Sequence, residues 1–303
     1  MNEYHIGNNA LIFKFDKNNE PALKCDLPAK LVFDTEDCFS GQIKYETDTM
    51  DHLDYSVMNP ATGPVYFNGV SPGDVLEIKI NRIDCKSPGV TICIPNEGNI
   101  RDLVKKSVTR IYQFENNVVD MGGALQIEME PMIGVIGIAP ADETPMTMES
   151  GDFGGNMDCK LIKEGATLFL PVQVEGALFG LGDVHATQGD GEAFYTALEV
   201  AAQVEVEVKV RKDLKMTIPF VVADGKFASI ATADSTDKAL HDAMAYLLEF
   251  IENNGDLDFY DAGFILGLFG DLEVSQVVDD PLRTMRMSLK LDILEKTGVK
   301  LFP

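Results

Sequence analysis

Short apolar stretches of strand length recur through the first two-thirds of the chain, separated by Gly, Pro, Asn and Asp. Examples are Lys30 to Phe33, Val75 to Ile83 and Gln203 to Val210. In the last of these, QVEVEVKV, every second residue is valine and the residues between them are polar or charged. Because residues i and i+2 leave a strand on the same face, this pattern predicts a half-buried antiparallel strand with one solvent-facing side.

Turn residues punctuate these strands about every ten residues, as in PATGPVYFNGVSPGD. Such regular punctuation favours an antiparallel β-sandwich or barrel over alternating βαβ units. We therefore predict a mainly β protein with a jelly-roll-like sandwich or barrel core and a C-terminal α/β unit. The predicted regions are 1–97 (N-terminal β), 98–218 (β-sandwich region with the candidate site described below) and 219–303 (C-terminal α/β).

Helical periodicity becomes strong only in the last quarter. The segment DSTDKALHDAMAYLLEFIENNG predicts a helix that Asp234 or Ser235 caps and that Gly255 ends. Its predicted apolar stripe consists of Ala239, Met244, Leu247, Leu248 and Ile251. DLDFYDAGFILGLFGDL predicts a second helix, and DDPLRTMRMSLKLDILEKTG predicts a closing strand followed by a helix.

Charge and composition narrow the function classes. The chain has 49 acidic and 25 basic residues, a net charge of -24, so it should repel nucleic acid and anionic lipid surfaces. MNEYHIGNNA does not resemble a signal peptide, and the longest apolar runs are too short and too broken by Gly and Pro to span a membrane. The five cysteines show no CxxC spacing, which favours a reducing cytoplasm.

The segment GLGDVHATQGDGEAF contains the strongest candidate chemistry. Asp183 and His185 are two apart, so on a strand both side chains would leave the same face, as ligands of one metal must. An imidazole beside a carboxylate suits zinc and similar metals. Asp190 and Glu192 repeat the spacing after a tight turn and are candidates for a further ligand or a general acid-base. The alternative is a solvated Gly-Asp turn beside an ordinary half-buried histidine.

A second glycine-rich segment, SGDFGGNMDCKL, contains Asp152, Asn156 and Asp158. Its glycines would let a backbone approach a substrate or metal closely, although they also serve plain turns. The two segments flank one strand-turn-strand unit, GATLFLPVQVEGALFGLGD, so they could meet at one end of a sheet.

Taken together, these residues resemble the acetamidase/formamidase family of amide hydrolases. The resembling segments, in chain order, are FDTEDCFSGQI with Thr35, Asp37 and Cys38, then NPATGPVYFNGVSPGDVLEIKI, GGNMDCKL, GATLFLPV, EGALFGLGDVHATQGDGE and VSQVVDDP. They cover nearly the whole chain at the spacing typical of the family.

The resemblance implies hydrolysis of small linear amides, such as formamide or acetamide, to a carboxylate and ammonia. It also implies a homodimer as assembly. The residues themselves support a route through a divalent metal, with zinc preferred and calcium a candidate second ion. The candidate residues are metal ligands His185, Asp183 and Asp158, acid-base residues Glu192, Asp190 and Asp37, and substrate-binding residues Asn156, Gly155 and Gln188.

Two other interpretations remain open at this stage. Cys159 or Cys38 could be the nucleophile of a cysteine-dependent hydrolase of linear or cyclic amides. Alternatively, the β-sandwich could bind a metal or ligand without turnover, since a fold does not dictate a function. Of the remaining histidines, His5, His52 and His241, only His52 is kept as a candidate ligand.

Overall fold

The computed structural model of the protein describes residues 1–302. Helices are few: α1 (Thr236–Asn254), α2 (Phe259–Phe269) and α3 (Leu291–Lys296), with short 3-10 turns at Met50–His52 and Tyr55–Val57. The strands, in chain order, are β1 (Asn2–Ile6), β2 (Leu11–Ile12), β3 (Leu23–Asp26), β4 (Ala29–Thr35), β5 (Ala61–Asn68), β6 (Val75–Cys85), β7 (Gly89–Cys93), β8 (Val108–Tyr112), β9 (Phe114–Glu115), β10 (Val118–Asp120), β11 (Gln126–Glu128), β12 (Met132–Gly137), β13 (Ser150–Gly151), β14 (Gly154–Asn156), β15 (Thr167–Pro171), β16 (Phe179–His185), β17 (Glu199–Val200), β18 (Ala202–Arg211), β19 (Phe220–Ala223), β20 (Lys226–Ala233), β21 (Asp271–Gln276) and β22 (Arg283–Lys290).

The predicted mainly β fold is confirmed. A nine-stranded sheet runs in the order β1-β4-β18-β6-β15-β19-β20-β22-β21, and a ten-stranded sheet has β13-β14-β12-β16-β17-β7-β8 as its main path. Strands β9, β10 and β11 form a small third sheet that pairs with neither of the large ones. Most pairings are antiparallel, and within residues 1–302 neither large sheet closes into a barrel.

Strand β18 lies inside the nine-stranded sheet and buries one of its two faces. It pairs antiparallel with both β4 and β6. Val204, Val206 and Val208 are fully buried, whereas the residues between them are only partly buried. The predicted one-sided strand is therefore confirmed.

The main core lies between the two large sheets. Phe33 of β4 packs edge to face on Phe179 of β16, with ring centroids 5.8 Å apart, and both rings are fully buried. Because they come from different sheets, this contact holds the two layers face to face. Truncating either ring would cost about 3–5 kcal/mol.

The C-terminal helices cover one end of the nine-stranded sheet. The side chain of Ser235 caps α1 by accepting from the Lys238 backbone N–H, and the helix ends at Gly255, as predicted. The predicted stripe was partly wrong, because Met244 is 40% exposed. The buried face follows the i, i+4 helical rows instead and consists of Ala239, Ala243, Leu247, Phe250 and Ile251.

Strands from all three predicted regions enter the nine-stranded sheet, since β1, β15 and β20 all belong to it. The division into three regions stays a prediction. Among residues 1–302, no helix has the length and apolar character needed to cross a membrane.

Candidate functional site

Strand β16 places Asp183 and His185 side by side, as their spacing predicts. Asp183 Oδ1 lies 3.4 Å from His185 Nε2, and both side chains are buried. The strand is not regular, however, because Asp183 has φ 48°. The two segments flanking this unit do meet: β12 lies between β14 and β16, and Asp158, just beyond β14, has its Oδ1 3.9 Å from His185 Nε2.

Glu199 is the closest carboxylate to the histidine. It lies on β17 directly opposite His185 in the antiparallel pairing, and its Oε2 is 3.1 Å from His185 Nε2. Sequence reasoning missed this residue. The available signal was a single acid inside the apolar run ALEVAA.

Gly134 makes room for this cluster. A Cβ at this position would lie 2.6 Å from Asp158 Oδ1 and 3.0 Å from Asp183 Oδ2. Side chains do not approach Cβ atoms this closely, so the two carboxylates can share the space only because β12 has glycine here. No feature of PMIGVIGIA distinguished this glycine from the others.

Gln188 fixes the orientation of His185. Its Oε1 lies 2.8 Å from His185 Nδ1, while its Nε2 donates to the Asp158 carbonyl oxygen at 2.8 Å. Since the amide orientation makes Oε1 the acceptor, the imidazole proton belongs on Nδ1. In the neutral imidazole the lone pair of Nε2 would then face the carboxylates, which is the tautomer that a metal ligand needs.

Three carboxylate oxygens in this cluster have no hydrogen-bond partner within the described residues: Asp158 Oδ1, Asp183 Oδ1 and Glu199 Oε2. Orphaned buried oxygens are costly and need an explanation. Each belongs to a residue of the two sets, Asp158-Asp183-His185 and Cys38-Asp183-Glu199, whose ligand atoms lie within 4.8 Å of one another. The donor set therefore fits a bound cation.

The electrostatics agree with that fit. Burial and the negative charges of Asp279 and Asp183 hold the pKa of Asp158 well above its usual range, against the opposing effect of His185. Burial raises the pKa of Glu199 to about 7. Burial would lower the pKa of His185, but the charges of Glu199 and Asp183 outweigh it and raise that pKa. Burial therefore disfavours the charged carboxylates, and a bound cation would offset that cost.

Glu192 faces the same centre from the QGDG turn. It is buried, and its Oε1 accepts a 2.8 Å hydrogen bond from the Ala197 backbone N–H. It forms a further set with His185 and Glu199, whose ligand atoms lie within 4.8 Å of one another. Burial and the charge of Asp158 raise the pKa of Glu192 well above its usual range.

Asp190, on the same turn, points away from the centre. Its two oxygens each accept a 2.8 Å hydrogen bond from the Arg286 guanidinium, and Lys160 lies 2.8 Å away. Although burial opposes it, these two cations hold the pKa of Asp190 below its usual range. Asp190 does not line the cavity described below.

Asp37 also lies outside that cavity. Its Oδ1 accepts from the backbone N–H groups of Phe39 and Gly41, at 2.9 and 3.0 Å. These bonds shape the loop that carries Cys38, a residue that does line the cavity.

Of the predicted substrate-binding residues, Asn156 lines the cavity and Gly155 does not. Asn156 Nδ2 donates to Asp279 Oδ2 at 3.0 Å, while its Oδ1 is buried without a partner. Gly155 has φ 83°, and a Cβ there would lie 2.2 Å from the Glu149 carbonyl oxygen. Gly155 therefore permits the local chain path, and Gln188 orients His185 as described above.

Two further polar residues, Asn59 and Asp279, belong to this site. Sequence reasoning assigned a role to neither of them. Asn59 Nδ2 donates to Asp183 Oδ2 at 3.0 Å. Asp279 sits in a turn whose backbone N–H is held by Gln276 Oε1 at 3.1 Å, and desolvation with the charge of Asp183 raises its pKa to about 7. Both lie in segments named above, NPATG and VSQVVDDP, but single-residue roles could not be extracted from those segments.

Backbone strain concentrates at this centre. Asn59, Asp158, Asp183 and Glu192 have φ of 46°, 44°, 48° and 49°, in the left-handed region that non-glycine residues seldom occupy. Such conformations cost about 1 kcal/mol or more each and cluster at functional sites, where surrounding structure enforces them.

The cluster forms one end of a cavity of about 500 Å³. Besides the polar residues above, this cavity is lined by apolar and aromatic side chains, including Phe39, Met50, Met58, Met146, Met148, Tyr55, Tyr195, Val278 and Leu282. A concave, largely apolar pocket with a few converging polar groups is typical of a small-molecule site.

The two candidate cysteines and the remaining candidate histidine differ in where they lie. Cys159 is fully buried away from the cavity, and burial raises the pKa of its thiol. Cys38 lines the cavity, but burial and the charges of Glu199 and Asp183 hold the pKa of its thiol well above its usual range. His52 lies exposed on a 3-10 turn outside the cavity.

Known proteins resemble this chain in sequence and in fold. The sequence profile of the Acetamidase/Formamidase family matches residues 8–152 and 141–295. An acetamidase from Bacillus halodurans has a similar crystal structure, with TM-score 0.95 and 39% identity over 98% of this chain and 100% of that one. A predicted acetamidase/formamidase from Thermoanaerobacter tengcongensis gives TM-score 0.96 and 38% identity over 99% and 100%.

Curated relatives are matched over less of their length. A candidate formamidase of Schizosaccharomyces pombe is 24% identical, in a match that covers 60% of this chain and 60% of that protein. The chain therefore spans about 60% of the length of that relative.

Proposed function

The chain belongs to the acetamidase/formamidase family, and on that premise we propose that it hydrolyses the C–N bond of small linear amides to a carboxylate and ammonia. One observation carries the proposal. Three unpartnered carboxylate oxygens surround the correctly oriented Nε2 of His185 at the end of a ligand-sized cavity.

We propose that His185, Asp183, Asp158 and Glu199 hold a divalent cation. The imidazole favours zinc, and the excess of carboxylate oxygens makes calcium a candidate for a second ion. A divalent cation in such a centre supplies a nucleophile near neutral pH by acidifying water, and stabilises negative charge on a carbonyl oxygen.

We assign proton transfer to Glu192. Its Oε1 is anchored by the Ala197 N–H, so the carboxylate is held beside the His185 and Glu199 ligand atoms. From there it takes the proton of the attacking water and passes it to the departing nitrogen, which leaves as ammonia. The unpartnered Oδ1 of Asn156 supplies an acceptor for an amide N–H of the substrate.

Asp190 and Asp37 do not line the cavity, so we assign them no direct contact with the substrate. The Asp190 and Arg286 pair, with the Gly191 backbone bonded to Ser275 and Val277, fixes the turn that carries Glu192. Asp37 fixes the loop that carries Cys38. We propose both as positioning residues.

The test is an ammonia-release assay over small amides, run on the metal-loaded protein, after chelation, and after restoring zinc. Activity that chelation removes and zinc restores, and that Cys38→Ser and Cys159→Ser both retain, supports the proposal. Activity that survives complete metal removal but is lost in either cysteine variant supports the cysteine mechanism instead. Metal binding with no ammonia from any amide supports the binding protein without turnover.

We further propose a homodimer that pairs through α2 and the start of β21. This face exposes Phe259, Tyr260, Phe264, Leu268, Phe269 and Leu272, each at least 41% exposed. At about 200 Å² for a fully exposed large side chain, these six expose on the order of 700 Å², close to the ~800 Å² per partner of a standard interface. A Cβ at Gly263 or Gly267 of α2 meets nothing within 4 Å, which leaves room for a second helix.

Light scattering tests the dimer. The native chain is expected at twice 33.2 kDa and Phe264→Asp at 33.2 kDa, whereas native protein at 33.2 kDa at micromolar concentration would contradict it. All five cysteines are free thiols, which supports our proposal of a reducing, cytoplasmic location.

A further inference from the structure

The cavity has two chemically different sides. One side is the cluster of carboxylates with His185, and the other is an apolar wall made of Phe39, Met50, Met58, Met146, Met148 and Leu282. Phe39, Met50 and Met58 belong to one buried apolar cluster, and Met148 packs against it. We call these six residues the methionine wall.

The methionine wall begins directly beside the candidate reaction centre. Met58 precedes Asn59, whose Nδ2 donates to Asp183 Oδ2 at 3.0 Å. Phe39 follows Cys38, whose sulfur lies within 4.8 Å of ligand atoms of Asp183 and Glu199. A carbonyl group held at the acidic cluster would therefore have its acyl substituent next to apolar side chains.

The size of the cavity exceeds what the smallest amides fill. Pockets of about 300–1,000 Å³ bind drug-sized ligands, and this one has about 500 Å³. Acetamide has only four non-hydrogen atoms, so it would leave most of the methionine wall in contact with water. Methionine is flexible and adapts to ligands of varied shape, so the wall suits apolar chains of differing form.

Charge selects against anionic substrates. Among the described residues that line the cavity, His185 is the only basic one, and the lining also includes Glu97 and Glu149. Asp280, on the same rim, is paired with Arg101 and Arg283. A negatively charged acyl group at the methionine wall would find no lysine or arginine among the described lining residues to replace its water.

We propose that the preferred substrates are neutral primary amides whose acyl group is an apolar chain longer than that of acetamide, bound against the methionine wall. This inference rests on the proposed amide hydrolysis and specifies its substrate class. The free energy of burying a methylene group corresponds to roughly a fourfold gain in kcat/KM, provided that the contact is kept in the transition state.

The experiment measures kcat/KM of the metal-loaded protein for formamide, acetamide, butyramide, hexanamide and the anionic succinamate. We expect the hexanamide to acetamide ratio to exceed 50, from roughly fourfold per methylene, and succinamate to be poorer than butyramide. Acetamide hydrolysis with a ratio below one would overturn the substrate class and leave amide hydrolysis standing. No hydrolysis of any amide by metal-loaded protein would instead overturn the proposed function.

Variants of Met148 test whether the methionine wall causes the preference for longer acyl chains. Met148 is only partly buried, so Met148→Ala should fold, and we expect it to lower the hexanamide to acetamide ratio at least fivefold. Met148→Leu keeps an apolar side chain of similar size and should retain most of the ratio. Met244→Ala, on the exposed side of α1, is the matched control and should retain all of it. An unchanged ratio in Met148→Ala would contradict the assignment of the wall.

Discussion

Glu199 Oε2 lies 3.1 Å from His185 Nε2, and the two residues are directly opposite each other on β17 and β16. Glu199 Oε2 nonetheless has no hydrogen-bond partner within the described residues. Two ligands of one cation lie this close together, and a bound cation would satisfy the buried Glu199 oxygen.

Replacing Glu199 tests whether that contact belongs to a cation site. Glu199→Gln keeps the shape but removes a charged ligand, so metal affinity should fall at least about 100-fold, the upper end of what loss of a supporting group costs. Isothermal titration with zinc measures this directly. Glu207→Gln, on the solvent-facing side of β18, is the control and should bind zinc like the native chain. Equal affinity in Glu199→Gln would exclude Glu199 as a ligand.

Gly134→Ala should remove metal binding although no ligand residue is replaced. The added Cβ would lie 2.6 Å from Asp158 Oδ1, so this carboxylate or β12 must move. Metal content by elemental analysis should fall well below one equivalent, while far-ultraviolet circular dichroism should stay native. Gly263→Ala, where a Cβ meets nothing within 4 Å, should keep its metal. A fully loaded Gly134→Ala protein would show that the cluster tolerates a wider spacing.

Asp190→Asn separates a positioning role from a catalytic one. The change leaves Arg286, which is 1% exposed, without its bidentate partner. We expect a loss of roughly 2 kcal/mol in the free energy of unfolding, below the ~3–5 for a fully buried pair because Asp190 is partly exposed. The pH profile of kcat should keep its native shape. A native stability with the basic or acidic limb of that profile missing would instead make Asp190 the acid-base group.

The stability of the metal-free protein should depend on pH. In the folded state the pKa values of Glu199 and Asp279 are raised to about 7, against roughly 4 in the unfolded chain. The folded state therefore binds more protons between these values, so its extra stability is present below about pH 4 and is lost as pH rises through 7. Thermal unfolding of chelated protein should show Tm falling from pH 5 to pH 8, with a smaller fall after zinc is added. Parallel curves with and without zinc would count against a cation compensating these carboxylates.

Local features of the chain were predictable from sequence. The cap at Ser235 and the end at Gly255 depend on residues within one helical turn, and the shared face of Asp183 and His185 depends on neighbours in one strand. In each case the residues that decide the structure are close together in the chain.

Long-range features were not predictable in the same way. Glu199 joins the site only because β17 pairs with β16, and Asp279 because Gln276 turns the C-terminal segment toward Asn156. Likewise, Asp190 has the spacing expected of an acid-base residue, yet Arg286, 96 positions later, draws it into an ion pair. These outcomes depend on strand order and on distant partners, which no single segment encodes.

The most direct test of the central claim is a titration of metal-free protein with zinc, in which bound zinc and the rate of ammonia release from an amide are followed together. The account predicts that ammonia release rises in proportion to bound zinc, reaches its limit when the His185 site is filled, and is absent at every zinc concentration in His185→Ala with native circular dichroism. Full ammonia release by protein that contains no metal, or by His185→Ala, would contradict it.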